Sequence, residues 1–132
     1  YEKISSDNGF TRREISDEEI TDRCILALIN EGADILSEGV AQRAADIDVV
    51  YINGYGFPIW RGGPMHHANA MGLDVVVDKL NKYYEITSNN AYKPSDLLIK
   101  LAKEGGKLAD SPSDENRKEK LNFAKSSVAG NF

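Results

Sequence analysis

The stretch Gly54-Tyr55-Gly56-Phe57-Pro58-Ile59-Trp60-Arg61-Gly62-Gly63-Pro64-Met65 decides how this chain folds, because it joins two helical patterns through a constrained connection. Glycine adopts backbone angles that other residues avoid, whereas proline fixes φ and removes an amide donor. A flexible linker would be rich in glycine and serine and would not contain Phe57 and Trp60. The stretch therefore predicts a shaped loop between two helices.

Helical patterns lie on both sides of this loop. The longest is predicted over residues 17–38, with a capping box from Ser16 to Glu19 and Gly39 as its stop. Shorter helices are predicted over residues 42–53, 64–71, 75–85 and 95–104, with Asp74 and Ser95 as caps. Period-2 alternation is nearly absent, so the sequence predicts an all-α domain of about five helices built around one long N-terminal helix. The shorter helices are expected to bury Ile47, Val50, Tyr51, Val76, Val77, Leu80, Tyr83, Tyr84, Leu97, Leu98 and Leu101.

The long helix is apolar on two sides. One side carries Ile20, Cys24, Ala27, Leu28 and Ile35, and another carries Ile25, Ile29 and Leu36. A helix with two apolar sides should be contacted on both. Burying one isoleucine or leucine contributes about 1.5–3 kcal/mol, so leaving the second side in water is costly. We therefore expect a neighbour outside this domain to cover it.

Composition bounds the organisation of the chain. At 132 residues one domain is expected, with an irregular lead-in over residues 1–15, a helical domain over 16–107, and a polar, weakly anchored tail over 108–132. A short helix over residues 116–125 is possible within the tail. The net charge of −5 argues against nucleic-acid binding, and no apolar run is long enough to cross a membrane.

The lone Cys24 excludes an intramolecular disulfide and fits a reducing compartment, so a cytoplasmic location is expected. Its apolar neighbours predict an inert core cysteine. The chain begins with Tyr1, which suggests that it was cut from a longer protein.

No set of residues indicates a catalytic, cofactor-binding or metal site. Gly54-x-Gly56 lacks the third glycine of a dinucleotide fingerprint, since Ile59 stands there, and a helix precedes it where a strand is needed. His66 and His67 are adjacent and point about 100° apart on a helix, so they cannot bind one metal from the same face. We interpret them as loop-edge residues near a surface.

Two polar features admit both a functional and a structural interpretation. Arg61 and Gly63 precede a helix start and could hold a phosphate of a nucleotide-bearing substrate, but stacking of Arg61 on Trp60, or pairing with a carboxylate, is favoured. Asn30-Glu31 is a polar pair inside an apolar helix. Such groups need partners when buried, and backbone N–H groups of the glycine-rich loop are the expected ones. A structural role for this pair is favoured over catalysis.

Five short motifs, taken in order, resemble the C-terminal helical domain of 3-hydroxyacyl-CoA dehydrogenases over about residues 15–107. The motifs are Asn30-Glu31-Gly32, Leu36-x-Glu38-Gly39, Asp46-Ile47-Asp48, Gly54-x-Gly56-Phe57-Pro58 and Arg61-Gly62-Gly63-Pro64. Members of this family pair an NAD-binding Rossmann domain with such helical domains. The bifunctional fatty-acid oxidation enzymes, which also carry an enoyl-CoA hydratase domain, have two helical copies. Here Trp60-Arg61-Gly62-Gly63-Pro64 and Lys93-Pro94-Ser95-Asp96 resemble the second copy. The structural motif residues are Asn30, Glu31, Gly54, Gly56, Pro58, Gly62, Gly63 and Pro64.

The resemblance implies a parent enzyme that transfers a hydride between a 3-hydroxyacyl-CoA and NAD⁺ in fatty-acid β-oxidation. The chain's partners would be the Rossmann domain, the first helical copy and the acyl-CoA, whose phosphate Arg61 and Gly63 could contact. The first copy carries a substrate-holding Asn-Arg pair where this chain has Asp22-Arg23. Because aspartate lacks the amide donor, no residue here inherits a catalytic or NAD-binding role. The isolated chain is expected to be inactive and to self-associate. The alternative is a stand-alone helical protein–protein interaction module.

Overall fold

The structure, a computed structural model, describes residues 13–110 together with the isolated positions 7 and 9. Within residues 13–110 the regular elements are helices, with no strand. This confirms the all-α prediction. The possible helix over residues 116–125 lies outside the described residues, as do nearly all of the predicted lead-in and tail. The α-helices are α1 (Asp17–Ser37), α2 (Ala44–Gly54), α3 (Pro64–Met71), α4 (Leu73–Thr87) and α5 (Asp96–Glu104), and short 3₁₀ turns occupy Ile59–Arg61, Asn90–Tyr92 and Leu108–Asp110.

Helix α1 begins at the predicted Ser16 cap and ends before the predicted Gly39. The predicted capping box is half formed, because the Glu19 carboxylate accepts from Arg13 instead of from the Ser16 amide. The Ser16 side chain accepts a hydrogen bond from the Glu19 amide at 3.2 Å, which satisfies one of the free donors of the first turn. At the other end Gly39 has φ +73°, and the Val40 amide donates to the Ile35 carbonyl at 3.1 Å. This left-handed closure satisfies carbonyls that the helix would otherwise leave open.

The core forms around the inward face of α1. Leu26, Ile29, Ala33 and Leu36 recur at intervals of three and four residues and are almost fully buried. The helix contacts each of the other four helices along this face. It is therefore the central element of the domain. The other helices and the last two 3₁₀ turns complete the core with Ala44, Ile47, Met65, Ala68, Leu73, Val76, Leu80, Tyr83, Tyr92, Leu97, Leu98, Leu101 and Leu108.

Some residues predicted to be buried are exposed. Val50 is 54% exposed because α2 turns Ala44, Ile47 and Asp48 inward, and these lie on another side of the helix. Tyr84 is 36% exposed because its neighbour Tyr83 takes the buried position. The prediction for both residues was wrong, since helical spacing alone does not fix which side of a short helix faces the core.

Cys24 also differs from its prediction as a core residue. It is exposed, because it lies about 200° around α1 from the buried Leu26. Several boundaries differ as well, because α2 spans Ala44–Gly54 instead of 42–53 and α4 ends at Thr87 instead of 85. Helix α4 begins at Leu73 after Gly72, so Asp74 lies in its first turn instead of capping it. Leu108 is fully buried, so the packed core extends one residue beyond position 107.

The crossing of α1 and α3 depends on the absence of a side chain at Gly32. A Cβ atom there would lie 2.4 Å from Cε of Met65, whose side chain is fully buried. Overpacking against the flexible end of Met65 costs about 1–3 kcal/mol, and the gain in helix propensity offsets about 1 kcal/mol, so we expect Gly32→Ala to lower the free energy of unfolding by about 1–2 kcal/mol. Urea denaturation measures this change. Gly54→Ala is the matched control, because a Cβ atom at Gly54 meets nothing within 4 Å. Equal stability of the two variants would contradict the prediction.

Candidate functional site

The glycine-rich loop and the start of α3 are fixed by one buried carboxylate. Asp48, on the inward side of α2, accepts hydrogen bonds from the Met65 amide at 2.7 Å and the His66 amide at 3.0 Å. Free amides and positive potential at the start of a helix favour a negative charge there. Asp48 thus acts as an internal anion that joins α2 to α3 across the loop.

The environment of Asp48 acts on its acidity in two directions. Burial raises the pKa of the Asp48 carboxyl, and the hydrogen bonds from the Met65 and His66 amides oppose the rise. A buried carboxylate is costly unless it is hydrogen-bonded. Its two backbone donors therefore explain why an acid can stand among core residues of this domain.

Gly63 is required by the approach of Asp48. A Cβ atom on Gly63 would lie 2.3 Å from Oδ1 of Asp48, and the φ of Gly63 is +96°. Gly56, with φ +70°, ends α2 in a turn that lets the Phe57 amide donate to the Tyr51 carbonyl at 3.0 Å. The loop is thus shaped by backbone geometry, as the sequence predicted.

The other motif residues of this loop lie at its turns. Pro58 precedes the 3₁₀ turn Ile59–Arg61, and Gly62 closes that turn with φ +75°. Pro64 is the first residue of α3, and Gly54 is the last residue of α2. These positions have structural roles that their residue types explain.

Arg61 stacks on Trp60, with its guanidinium carbon 4.6 Å from the ring centroid. This is the structural interpretation that the sequence favoured. Nε of Arg61 is nevertheless buried without a hydrogen-bond partner within the described part of the chain. The predicted phosphate site at Gly63 is less favourable than expected, because Asp48 already occupies the Met65 and His66 amides beside it.

A cleft of about 300 Å³ lies between the first turns of α1 and the start of α3. Its apolar residues are Ile25, Leu26 and Met71. Its polar residues are Asp17, Glu18, Thr21, Asp22, Arg61 and His67. Burial lowers the pKa of His67, and the nearby positive charge of Arg61 lowers it further, followed by that of His66. The imidazole is therefore held towards its neutral form.

Asn30 is buried and has partners other than the predicted ones. Its Nδ2 donates to the carbonyls of Ala91 at 3.2 Å and Lys93 at 2.8 Å, and its Oδ1 accepts from the Ser95 amide at 2.8 Å. The expectation of partners in the glycine-rich loop was wrong, because Asn30 faces the turn before α5. Glu31, predicted as part of the same polar pair, is exposed.

Asp22 and Arg23, where the related first copy carries Asn-Arg, are both engaged within the domain. Asp22 pairs with Nζ of Lys79 at 2.7 Å. Nε of Arg23 donates to the hydroxyl of Tyr92 at 3.3 Å. Burial raises the pKa of Tyr83, whose hydroxyl also lies 3.4 Å from Asp22. The aspartate thus acts as a structural acceptor between α1 and α4.

The outer face of α1 carries apolar side chains that the domain leaves partly exposed. We define it as Ile20, Cys24, Ala27, Leu28, Glu31 and Ile35. Ile20 is 52% exposed, Cys24 and Glu31 are exposed, and Ala27, Leu28 and Ile35 are half-buried. Ala27 and Ile35 pack against the core, so the domain itself covers part of this side. Cover of Ile20 and Cys24 by a neighbour stays a prediction.

Sequence reasoning did not assign roles to Asp48 or Asp22. Asp48 stands in a motif used for the family resemblance, but nothing in its local pattern shows which backbone it caps. The glycine pair before Pro64 was the available signal, because close approach of a side chain to backbone requires glycine.

Within the described residues, no group of three or more His, Cys, Asp or Glu side chains is arranged to hold a metal ion. No described helix is long and apolar enough to cross a membrane.

Comparison with known proteins agrees with the resemblance seen in the motifs. A family model described as "3-hydroxyacyl-CoA dehydrogenase, C-terminal domain" matches residues 20–112. The human peroxisomal bifunctional enzyme is 46% identical over 111 residues, which covers 78% of this chain and 15% of that protein. A peroxisomal fatty acid beta-oxidation multifunctional protein of Arabidopsis thaliana is 33% identical over 103 residues, which covers 78% of this chain and 14% of that protein. The fatty acid oxidation complex subunit alpha of Vibrio vulnificus is 34% identical over 96 residues, which covers 73% of this chain and 14% of that protein. The chain thus spans about 15% of the length of the curated relatives it matches.

Removing the Asp48 carboxylate should expose a site at the start of α3 for an anion from solution. We expect Asp48→Ala to lower the free energy of unfolding by about 1–3 kcal/mol, because two buried amides lose their acceptor. Inorganic phosphate should then restore part of the loss by binding the free start of α3. Urea denaturation with and without phosphate measures both effects. Wild type is the control for the general effect of the salt. An equal response of wild type and variant would contradict the prediction.

The lowered pKa of His67 predicts a pH dependence of stability. The folded-state pKa lies below the ordinary value of 6.5, so the unfolded chain binds the proton more tightly. The contribution of neutral His67 to the free energy of unfolding is fully present above the unfolded-state pKa. It is lost as the pH falls through the folded-state pKa. NMR titration should give the His67 imidazole a pKa below the ordinary value of 6.5. The unfolding free energy of His67→Gln should decline less than that of wild type between about pH 7 and pH 5. Parallel declines would overturn this assignment.

Proposed function

Because the chain belongs to the family of 3-hydroxyacyl-CoA dehydrogenase C-terminal domains, we propose that it serves as the second, last helical copy of a larger NAD-dependent dehydrogenase. The parent would transfer a hydride between the 3-hydroxy group of an acyl-CoA and NAD⁺, in fatty-acid β-oxidation. NAD would be held by a Rossmann domain outside this chain. The names of the relatives, among them a bifunctional enzyme and a fatty acid oxidation complex subunit, support a larger parent that acts in fatty-acid oxidation. A hydratase domain in the parent rests on the family resemblance alone.

The contribution of this chain to the reaction is structural. Asp22 stands where the first copy would carry an asparagine that holds the substrate, and here its carboxylate pairs with Lys79 at 2.7 Å. A carboxylate offers no amide donor and adds a negative charge. For contact with a CoA phosphate we retain Arg61 alone, because Asp48 already holds the amides beside Gly63.

The observation that carries the proposal is the outer face of α1. Apolar side chains that a domain leaves partly exposed on its central helix, here Ile20 and Leu28, are typical of a surface that another domain covers. Burial of Ile20, half exposed here, would contribute to such a contact. We propose that the first helical copy of the parent packs on this face. By holding that copy in place, the chain would scaffold the acyl-CoA cleft.

The same face gives the isolated chain a route to self-association, so we propose a weak homo-oligomer in the absence of the parent. For the location we retain the cytoplasm, proposed from the single cysteine. The alternative is the peroxisome, which the names of the human and plant relatives include.

A second candidate is a stand-alone helical module that binds a protein partner without an enzymatic parent. The outer face of α1 favours it equally, because exposure alone does not say which domain covers the face. The upstream coding sequence separates the two candidates. A Rossmann fingerprint before Tyr1 supports the enzyme, whereas a start codon at that position supports the module.

The proposal predicts a chain that is inactive alone but binds the rest of its parent. With a 3-hydroxyacyl-CoA and NAD⁺, we expect no NADH formation above background, measured by absorbance, because the catalytic residues and NAD would be held by the Rossmann domain of the parent. A separate fragment holding the Rossmann domain and the first helical copy should form a complex with the chain in sedimentation velocity. Ile20→Glu should weaken that complex by placing a charge in the apolar contact, whereas Ile86→Glu, equally exposed on α4, should not.

NADH production by the chain alone would contradict the structural role. Failure of the fragment to bind the wild-type chain would contradict the proposed assembly. Equal binding by the two glutamate variants would show that the contact lies elsewhere.

A further inference from the structure

The most exposed apolar side chains of the described residues belong to one uncharged stretch of the chain. Tyr55 and Ile59 are 76% exposed and Trp60 is 75% exposed, more than any other large hydrophobic side chain between residues 13 and 110. No charged residue lies between positions 49 and 60, although 28% of the chain is charged. Apolar surface concentrated in this way marks a site of interaction.

These side chains surround the C-terminal end of α2. The Phe57 amide donates to the Tyr51 carbonyl at 3.0 Å, which folds the loop back on the last turn of the helix. The rings of Tyr51 and Tyr55 lie 5.3 Å apart, and the 3₁₀ turn Ile59–Arg61 begins two residues beyond Phe57. We define the aromatic rim as Val49, Val50, Tyr55, Ile59 and Trp60.

The aromatic rim is large enough for a protein contact. An aromatic side chain offers about 150–250 Å², so Trp60 and Tyr55, three-quarters exposed, supply roughly 230–380 Å² together. With its three aliphatic side chains the rim reaches the order of 500 Å², against about 800 Å² per partner in a stable interface. The rim can therefore form the apolar centre of an interface that neighbouring polar residues complete.

The charge pattern favours a protein partner over a lipid surface. Segments that bind membranes combine apolar side chains with several lysines or arginines. The aromatic rim has Arg61 alone at its edge, and this guanidinium is stacked on Trp60. The chain as a whole has a net charge of −5. Exposed tryptophan and tyrosine beside an arginine are instead typical of the centre of a protein–protein interface.

A second copy of this chain fits the aromatic rim. Two copies, each with a net charge of −5, repel each other, so they approach best through surfaces without charge. A twofold contact sets the same patch of both subunits face to face, and the rim then meets no like charge. The outer face of α1 is less suitable for self-pairing, because Glu31, Asp34 and Glu38 lie on that side of the helix.

We propose that two copies of the chain associate through the aromatic rim, with the two rims facing each other about a twofold axis. The inference rests on the proposed function in adopting its weak homo-oligomer, and it names the surface and chemistry of that contact. The rim gives a stronger route to self-association than the outer face of α1. That outer face stays available to the parent.

Sedimentation equilibrium of the isolated chain tests the proposal. Ile59→Glu should weaken self-association by about tenfold or more, a difference of about 1.4 kcal/mol, because the contact would bury one carboxylate from each copy. Val40→Glu is the matched control, since Val40 is 74% exposed and lies outside the rim. It adds the same charge and should leave the association nearly unchanged. Urea denaturation checks that both variants remain folded.

Two further measurements locate the contact. Ile20→Glu, on the outer face of α1, should weaken self-association less than Ile59→Glu does. Raising the salt concentration from about 50 mM to about 500 mM should tighten the association, because salt screens the repulsion between two negative chains and the contact contains no ion pair to lose.

A monomer at high micromolar concentration would overturn the proposal. Equal effects of Ile59→Glu and Val40→Glu, a larger effect of Ile20→Glu, or weaker association in high salt would also overturn it. Binding to phosphatidylcholine vesicles that Ile59→Glu abolishes would assign the rim to a lipid surface instead. The proposed function fails separately, if the parent fragment does not bind wild type, whatever the rim variants do.

Discussion

The contact between Asp48 and the start of α3 is the constraint on which the rest of the site depends. One carboxylate accepts from two successive backbone amides and thereby fixes the angle between α2 and α3. The chain between them has to pass beside that carboxylate, which leaves no space for a side chain at Gly63. The dense glycine and proline pattern of the loop follows from this requirement. A negative charge supplied from within also makes the helix start a structural feature instead of an anion site.

Helix α1 connects this interior to the surface. Its inward face carries the core, and Asn30 on its flank holds the turn before α5 through three hydrogen bonds to backbone. Its outer face has the apolar spacing of a buried helix but keeps Ile20 and Cys24 exposed. One helix therefore determines both how the domain packs and what it can pack against. A role in assembly agrees with this arrangement better than a role in chemistry.

Much of the fold could be predicted from the sequence because helix ends are decided locally. Ser16 and Glu19 are three residues apart, Gly39 lies two residues beyond the end of α1, and Gly105 directly follows α5. The site was harder to predict because its contacts join distant residues. Asp48 reaches amides 17 and 18 residues away, and Asn30 reaches backbone more than 60 residues away. The exposed Val50, Tyr84 and Cys24 show the same limit, since periodicity places residues on a common side without saying which neighbours arrive there.

The stacking of Arg61 on Trp60 has a spectroscopic consequence. Trp60 is the single tryptophan of the chain and is 75% exposed at the edge of the loop. Its indole emission therefore responds to the water around the loop and to the guanidinium above the ring, far more than to the packing of the core. Intrinsic fluorescence excited at the indole band should act as a local optical probe of this rim, and circular dichroism is the appropriate signal for loss of the helices themselves.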